Sequence, residues 1–287
     1  MSGNTGNTGN TGNTGNTGNT GNTGNAGNIG DPGGGWGFAD RGNFPFLNER
    51  ELETTALPYK EKGYPDQSWG SYWFAWATLT EFAQLDWKQK VQLPAPDLTR
   101  TAAEIDDLVQ LARNERADAL DEIVAQKDEF LSYFMQLLSI SPHSHPNTQR
   151  VLASASLIAL FMGQYFKNEY KRQRPAQLCS ALLPPIQAPG HASYPNGHST
   201  QAHLMAYCVA LVLPVEVRPK LQNNLRVLAD RIGRNREIAG LHYRSDTVAG
   251  ITLANNIFTV LSAEDADSKA TMRRFWEAVA KAKEEWA

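Results

Sequence analysis

The 287-residue sequence predicts an all-α fold, on three observations. Beyond Pro96, apolar residues recur at intervals of three and four rather than two. Prolines and glycines fall at the ends of those periodic stretches, where helices stop and start. No alternating run is long enough to read as a strand.

The elements follow in order. Residues 3–29 repeat Gly-Asn-Thr almost without error, then decay through Ala26 and Ile29 into Gly30-Asp31-Pro32-Gly33-Gly34-Gly35. Glycine at every third place is collagen-like, but the prolines that a triple helix needs are absent. A polar tract without apolar side chains cannot offset its ordering entropy, so residues 1–35 are expected to be a low-complexity disordered tail. Residues 36–97 are rich in Gly, Pro and aromatics, among them Trp69, Tyr72, Trp73, Phe74 and Trp76. They are expected to form an irregular aromatic-rich cap with one short helix, packed over the core. Residues 98–287 carry the helical domain. Thr101 with Glu104 gives a capping-box signal. Leu120, Ile123, Val124, Phe130, Phe134, Leu137 and Leu138 then predict one helix, broken at Pro142 and Pro146. The next carries Val151, Leu152, Ala155, Ile158, Ala159 and Met162 toward Lys167. Further helices are expected from His198 to near Pro214, over 218–239 and over 245–261, with an amphipathic segment at 265–286 closing the chain.

Composition narrows the function. Lys+Arg of 27 against Asp+Glu of 30 leaves a net charge of −3, which is no footprint for nucleic acid. Cys179 and Cys208 have neither disulfide-framework nor metal-type spacing. No basic and apolar leader is visible, and the most apolar stretch, 151–166, is too short and too interrupted by serine to span a bilayer. The chain therefore reads as soluble, with the cytoplasm favoured and no membrane span. Homo-oligomerisation is left open.

Three stretches in the second half carry the chemistry. The first is Lys167-Asn-Glu-Tyr-Lys-Arg-Gln-Arg174-Pro175. Lys167 and Arg174 lie two helical turns apart and can share a face, with Pro175 ending the helix. Lys171 and Arg172 between them read as a basic helix end facing its own dipole. The second is Pro195-Asn196-Gly197-His198, a turn leading into an apolar helix. Its amides, freed by Gly197 for close approach, suit an anion, and Asn196 can donate a further N–H. The third is Arg236-Glu-Ile-Ala-Gly-Leu-His242-Tyr-Arg-Ser-Asp246. Asp246, four after His242, can hold one imidazole N–H and turn the other nitrogen toward a ligand. Arg236 can clamp two oxygens of that ligand. Three cations, a turn, two histidines and a carboxylate suit a tetrahedral oxyanion.

Taken together, the three stretches resemble the signature of the PAP2 (type 2 phosphatidic acid phosphatase) and vanadium-dependent haloperoxidase superfamily. That pattern reads Lys-x6-Arg-Pro, then Pro-Ser-Gly-His, then Ser-Arg-x5-His-x3-Asp. Asn196 and Asn235 replace its two serines, and Asn235 is taken as structural. The resemblance covers roughly residues 120–262 and implies a helical bundle of that type, as in soluble bacterial members. In phosphatase relatives the histidine matching His242 attacks phosphorus, oriented by the residue matching Asp246. The one matching His198 protonates the leaving alcohol and then activates water. Those matching Lys167, Arg174 and Arg236 neutralise the oxygens, helped by the Gly197 backbone and Asn196. This implies hydrolysis of a small-molecule phosphomonoester by a scheme that requires no metal or other cofactor. Haloperoxidase relatives use the same pocket to hold vanadate. His191, seven before His198, resembles a histidine near the halide site of algal bromoperoxidases, although a rim histidine in a Pro-rich loop is the preferred reading. The superfamily's membrane-spanning lipid phosphatases need long apolar spans that are not seen here. A scaffold that has kept these residues without activity is the remaining alternative. His143 and His145 lack the acidic or thiol company of a metal site. His203, Glu169 and Tyr170 read as packing or surface residues.

Overall fold

A computed structural model describes residues 63–263 and 265–287. The repeat tail and the first part of the aromatic segment lie outside the described residues. Every regular element described is helical, and no strand occurs among the described residues. The longer helices are α1 (Ser71–Phe82), α2 (Trp87–Lys90), α3 (Thr101–Asn114), α4 (Arg116–Ala125), α5 (Leu131–Leu137) and α6 (Pro146–Tyr170). They are followed by α7 (Pro175–Leu178), α8 (Gly197–Ala210), α9 (Arg218–Ile238), α10 (Arg244–Leu261), α11 (Ala266–Thr271) and α12 (Arg273–Glu284). No described helix is long and apolar enough to cross a membrane.

The core is organised on two helices. α6 packs against α1, α8 and α12, and α8 packs against α6, α9 and α10. α6 buries Val151, Leu152, Ala155, Ile158, Ala159 and Met162, the residues its periodicity selects. α8 is buried on almost every side, Ser199, Thr200, Gln201 and His203 included. A helix surrounded by others needs no polar face, which explains why its amphipathicity is weak. α1 joins the same core through Phe74, Ala75, Leu79 and Phe82, so the described part of the aromatic segment is more regular than its composition implies. Trp73 and Trp76 remain exposed on it.

Two glycines let the central helices meet. A Cβ on Gly250 of α10 would lie 2.7 Å from the Asn196 carbonyl oxygen and 2.9 Å from Ser199 Cβ. One on Gly233 of α9 would lie 3.1 Å from Thr247 Cγ2 and 3.3 Å from Ser199 Cβ. Both helices therefore press closely on the first turn of α8, which brings the second and third motif-bearing stretches together.

Three helix boundaries depart from the periodicity. The expected helix through Leu120–Leu138 is two helices, separated at Gln126–Phe130, and Leu120 and Val124 are exposed. The break frees the carbonyls at the end of α4 for side chains of the site. α6 stops at Tyr170, because Lys171 adopts a left-handed conformation (φ 50°, ψ 32°). Arg174 is consequently extended (φ −77°, ψ 153°), so it and Lys167 do not share a helical face. Pro175 starts α7 rather than ending α6, a role its fixed φ suits. The closing segment is likewise split, at Met272.

Candidate active site

The third stretch is built around a helix end. α9 carries Arg236 in its last turn, and Gly240 ends the run at φ +75°. The Gly240 amide donates to the Glu237 carbonyl and the Leu241 amide to that of Arg236, closing the turn in the manner expected of a glycine there. His242 follows at once. α10 then begins, with Asp246 in its first turn accepting from the Tyr243 amide at 3.2 Å. Asp246 thus caps the helix and, through the same oxygen, Oδ2, meets His242 Nδ1 at 3.1 Å. A carboxylate there keeps the proton on Nδ1 and leaves Nε2 unprotonated. Nε2 faces the guanidinium of Arg174, with Nη1 at 3.3 Å. Burial pushes the His242 pKa well below 6.5, and the charges on Arg174 and Lys167 push it the same way, so the ring is neutral. A neutral imidazole with one open nitrogen is the form a nucleophile requires.

Arg174 is held as a clamp arm. Nε donates to the His191 carbonyl at 3.0 Å and Nη1 to that of Leu241 at 2.9 Å. Its Nη2 lies 3.1 Å from His191 Nδ1, which places His191 at the edge of the same site. Burial, with help from Lys167, lowers the His191 pKa to about 4.

Arg236 is 1% exposed. Its Nη2 donates to the Ile123 carbonyl at 2.9 Å, while Nε and Nη1 are buried without a partner among the described residues. Burial lowers its pKa to about 10, still well above neutrality, so a charged guanidinium sits in the interior with two open donors. Such groups carry a desolvation cost that an anion would relieve.

His198 stands at the start of α8. Its Nε2 donates to the Gln126 carbonyl at 3.0 Å, and its ring lies against Phe130 at 5.0 Å between centroids. The broken end of α4 therefore orients both His198 and Arg236. Burial and the charge on Arg236 lower the His198 pKa to about 3. Among the described residues, neither its Nδ1 nor the Gly197 and His198 amides, the first two N–H groups of α8, have a hydrogen-bond partner. A Cβ on Gly197 would meet only Lys167 Cε, at 3.9 Å, so that side of the turn is open.

Two residues sit differently from what the motif suggested. Asn196 is not free to aim its amide at an oxyanion. Its Oδ1 caps α8 by accepting from the Ser199 amide, and its Nδ2 donates to Thr247 Oγ1 at 3.2 Å and the Gly233 carbonyl at 3.4 Å. Capping is the use that position at a helix start favours. Lys167 directs its ammonium into the loop: the carbonyls of Ala192, Ser193 and Pro195 accept from it at 2.9, 2.8 and 2.5 Å. With three protons committed, it acts on the site through charge and by fixing the loop. Burial and Arg174 push its pKa well below the lysine range.

Lys167, Arg174, His191, His198 and His242 thus converge: Arg174 meets both His191 and His242, Lys167, His191 and His198 each bear on the titration of His242, and Arg236 bears on that of His198. Asn235, as expected, is structural, with Nδ2 donating to Glu122 at 2.8 Å and Gln126 at 2.9 Å. His203 is a packed residue bonded to the Ser199 carbonyl and Asp230. His145 stacks on Trp286, and no group of three potential metal ligands occurs among the described residues. Comparison of the chain with protein-family models and with curated proteins gives no match.

The motifs did not reveal the residues behind Asp246. Arg172 looked like one more cation of a helix end, yet it is buried. Its Nη1 donates to Asp246 Oδ1 at 2.7 Å, and its Nη2 donates to Glu104 Oε2 at 2.9 Å. Glu104, read as half of a capping box with Thr101, does not serve that cap. Thr101 is already helical, and the carboxylate instead accepts from the Ser245 amide at 2.7 Å and hydroxyl at 2.9 Å. Ser193 donates its hydroxyl to Asp246 Oδ2. An acidic residue in a first helical turn was the only signal for Glu104, and it is ambiguous by nature.

Proposed function

We propose that this chain is a PAP2-type phosphatase that hydrolyses a small-molecule phosphomonoester through a phosphohistidine at His242. The observation that carries the reading is Arg236, a buried guanidinium with two N–H groups that have no partner among the described residues, beside His198, which in turn bears on His242. A buried cation with donors to spare suits an anion, and phosphoryl transfer demands such preorganised charge.

In the first step His242 Nε2 attacks phosphorus as the bond to the leaving oxygen breaks. Asp246 holds the Nδ1 proton and balances the charge the ring acquires. Arg236 and the first amides of α8 take the equatorial oxygens, while Arg174, whose N–H groups are engaged by the carbonyls of His191, Leu241 and Ala192 and by the two histidine rings, contributes its charge. His198 is neutral in the free site, and a bound dianion offsets the charge of Arg236 and lets it carry a proton on Nδ1. That proton goes to the departing alkoxide. In the second step the neutral His198 takes a proton from water, whose oxygen attacks phosphorus and returns His242 to its starting form. Each clamp donor is expected to contribute about 2.7–4 kcal/mol to the barrier reduction.

A second reading is favoured by one observation, the contact of His191 with Arg174 at the edge of the site. The donor set fits vanadate as well as phosphate, with His242 Nε2 as its ligand, and vanadate supplies peroxide activation for halide oxidation. The two readings separate in paired assays on one preparation. Hydrolysis of p-nitrophenyl phosphate with competitive inhibition by vanadate is the expected result. Bromination of phenol red with vanadate, peroxide and bromide, with no phosphatase activity, would overturn it in favour of the second.

A further inference from the structure

Resting on the phosphatase reading of His242 and Asp246, we infer that Arg172 is a positioning residue for the nucleophile, seated by Glu104 and Ser245 so that Asp246 presents one oxygen to His242. The two oxygens of Asp246 are divided. Oδ1 takes Arg172 Nη1 at 2.7 Å, and Oδ2 takes His242 Nδ1, the Ser193 hydroxyl and the Tyr243 amide. The carboxylate cannot rotate without breaking one of these sets, so the imidazole is fixed in turn.

Arg172 itself is held through both terminal nitrogens and the face of its guanidinium. Its Nη2 meets Glu104 at 2.9 Å, its Nη1 also meets Ser245 Oγ at 2.7 Å, and its guanidinium lies 3.8 Å from the centroid of the Tyr243 ring. Glu104 comes from α3, far from the motifs in sequence, and is itself buried. A planar fork reaching two carboxylates is a task lysine cannot perform. The groups facing Asp246 are Arg172, Lys167 and Arg174 on one side, with His242, Tyr243 and Tyr194 on the others; Glu104 acts through Arg172. Protonation of the coupled His242–Asp246 pair stops attack, and the midpoint of that event belongs to the pair.

Opposite substitutions in this network should move the midpoint in opposite directions. Glu104→Gln removes the negative charge behind Arg172, and the acid limb of kcat/KM should move about one pH unit lower. Arg172→Gln removes the cation and should move it higher by at least as much. Ser193→Ala removes one donor to the carboxylate and should also move it higher, serving if Arg172→Gln does not fold. In each variant kcat should fall more than KM rises. The midpoint of the His242 ring nitrogens, followed by NMR of protein labelled at histidine, should shift in the same order without turnover. Limbs and midpoints that stay put, or that move the same way in Glu104→Gln and Ser193→Ala, overturn the inference. Ordered NMR midpoints in a protein that hydrolyses no phosphomonoester would instead keep the positioning role and overturn the phosphatase reading.

Discussion

The two sides of the His242 ring differ in how their polar atoms are used. Behind Nδ1, Asp246, Arg172, Glu104, Ser193 and Ser245 form a closed network in which all but Arg172 Nε have partners. Beyond Nε2, the charges of Arg174 and Lys167 bear on the ring, and around neighbouring His198 two donors of Arg236 and the first amides of α8 have no partner among the described residues. A closed network supports the fold and holds geometry. An open one costs stability and can be kept only if a ligand completes it. On the proposed reading, the ligand belongs on the Nε2 side.

The largest test removes the atom at the boundary. His242→Ala should lower phosphatase kcat on the order of 10⁴-fold or more, with the protein still folded, because attack itself is lost. Next in size is the contrast between the two arginines. Arg172→Met strands two buried carboxylates and should cost about 3–5 kcal/mol in urea unfolding. Arg236→Met removes a charge with two unsatisfied donors, so stability should stay within about 1 kcal/mol of wild type or rise. Its kcat should nonetheless fall about 10²–10³-fold. Equal destabilisation by both would erase the distinction between the two sides.

That contrast also separates what was legible in the sequence from what was not. The all-helical class and the helices over Pro146–Tyr170, Arg218–Ile238 and Arg244–Leu261 follow from three-four periodicity, because burial against neighbours selects one face. His242 and Asp246 were legible because both belong to one short stretch at a local spacing. Arg172 and Glu104 were not, since a buried ion pair between residues 68 apart leaves no periodic trace. The break after Ala125 was missed for a related reason. The carbonyls that accept His198 and Arg236 are backbone atoms, and a side-chain pattern cannot record their use. Asn196 misled in the opposite sense, offering amide donors that Thr247 and the Gly233 carbonyl already accept.

The open side also sets a pH dependence. The pKa of His198 is about 3 and that of His191 about 4, against 6.5 for an ordinary histidine. The unfolded chain therefore binds more protons than the folded one between those values, and stability rises with pH across that window. It is fully present above about 6.5 and is lost as pH falls toward 4 and 3. Sulfate, a dianion throughout this range, should occupy the cationic side, raise the His198 value and recover part of the loss. Thermal melts between pH 7 and 4, with and without sulfate, read both effects. A sulfate stabilisation that does not grow on acidification would mean that no histidine faces the bound anion.

The smallest expected effect comes from a closed network remote from His242, at the opposite end of α6. There the first helical turn has no side-chain cap of its own, and Glu285 supplies one from the far end of the chain. Its carboxylate accepts from the Asn147 amide at 2.7 Å, the Thr148 amide at 2.9 Å, and from Asn147 Nδ2 and Thr148 Oγ1, both at 2.8 Å. Trp286 adds a bond from its indole N–H to Thr148 Oγ1 at 3.1 Å and a stack on His145. An anion at a helix N-terminus that satisfies two open amides should contribute about 1–2 kcal/mol. Glu285→Ala should therefore lower the unfolding free energy by that amount while leaving kcat and KM unchanged, because α6 is 25 residues long and delivers Lys167 from its other end. A change in kcat without a change in stability would mean that this helix transmits strain to the loop Lys167 fixes, and that the closed networks of the molecule are not independent.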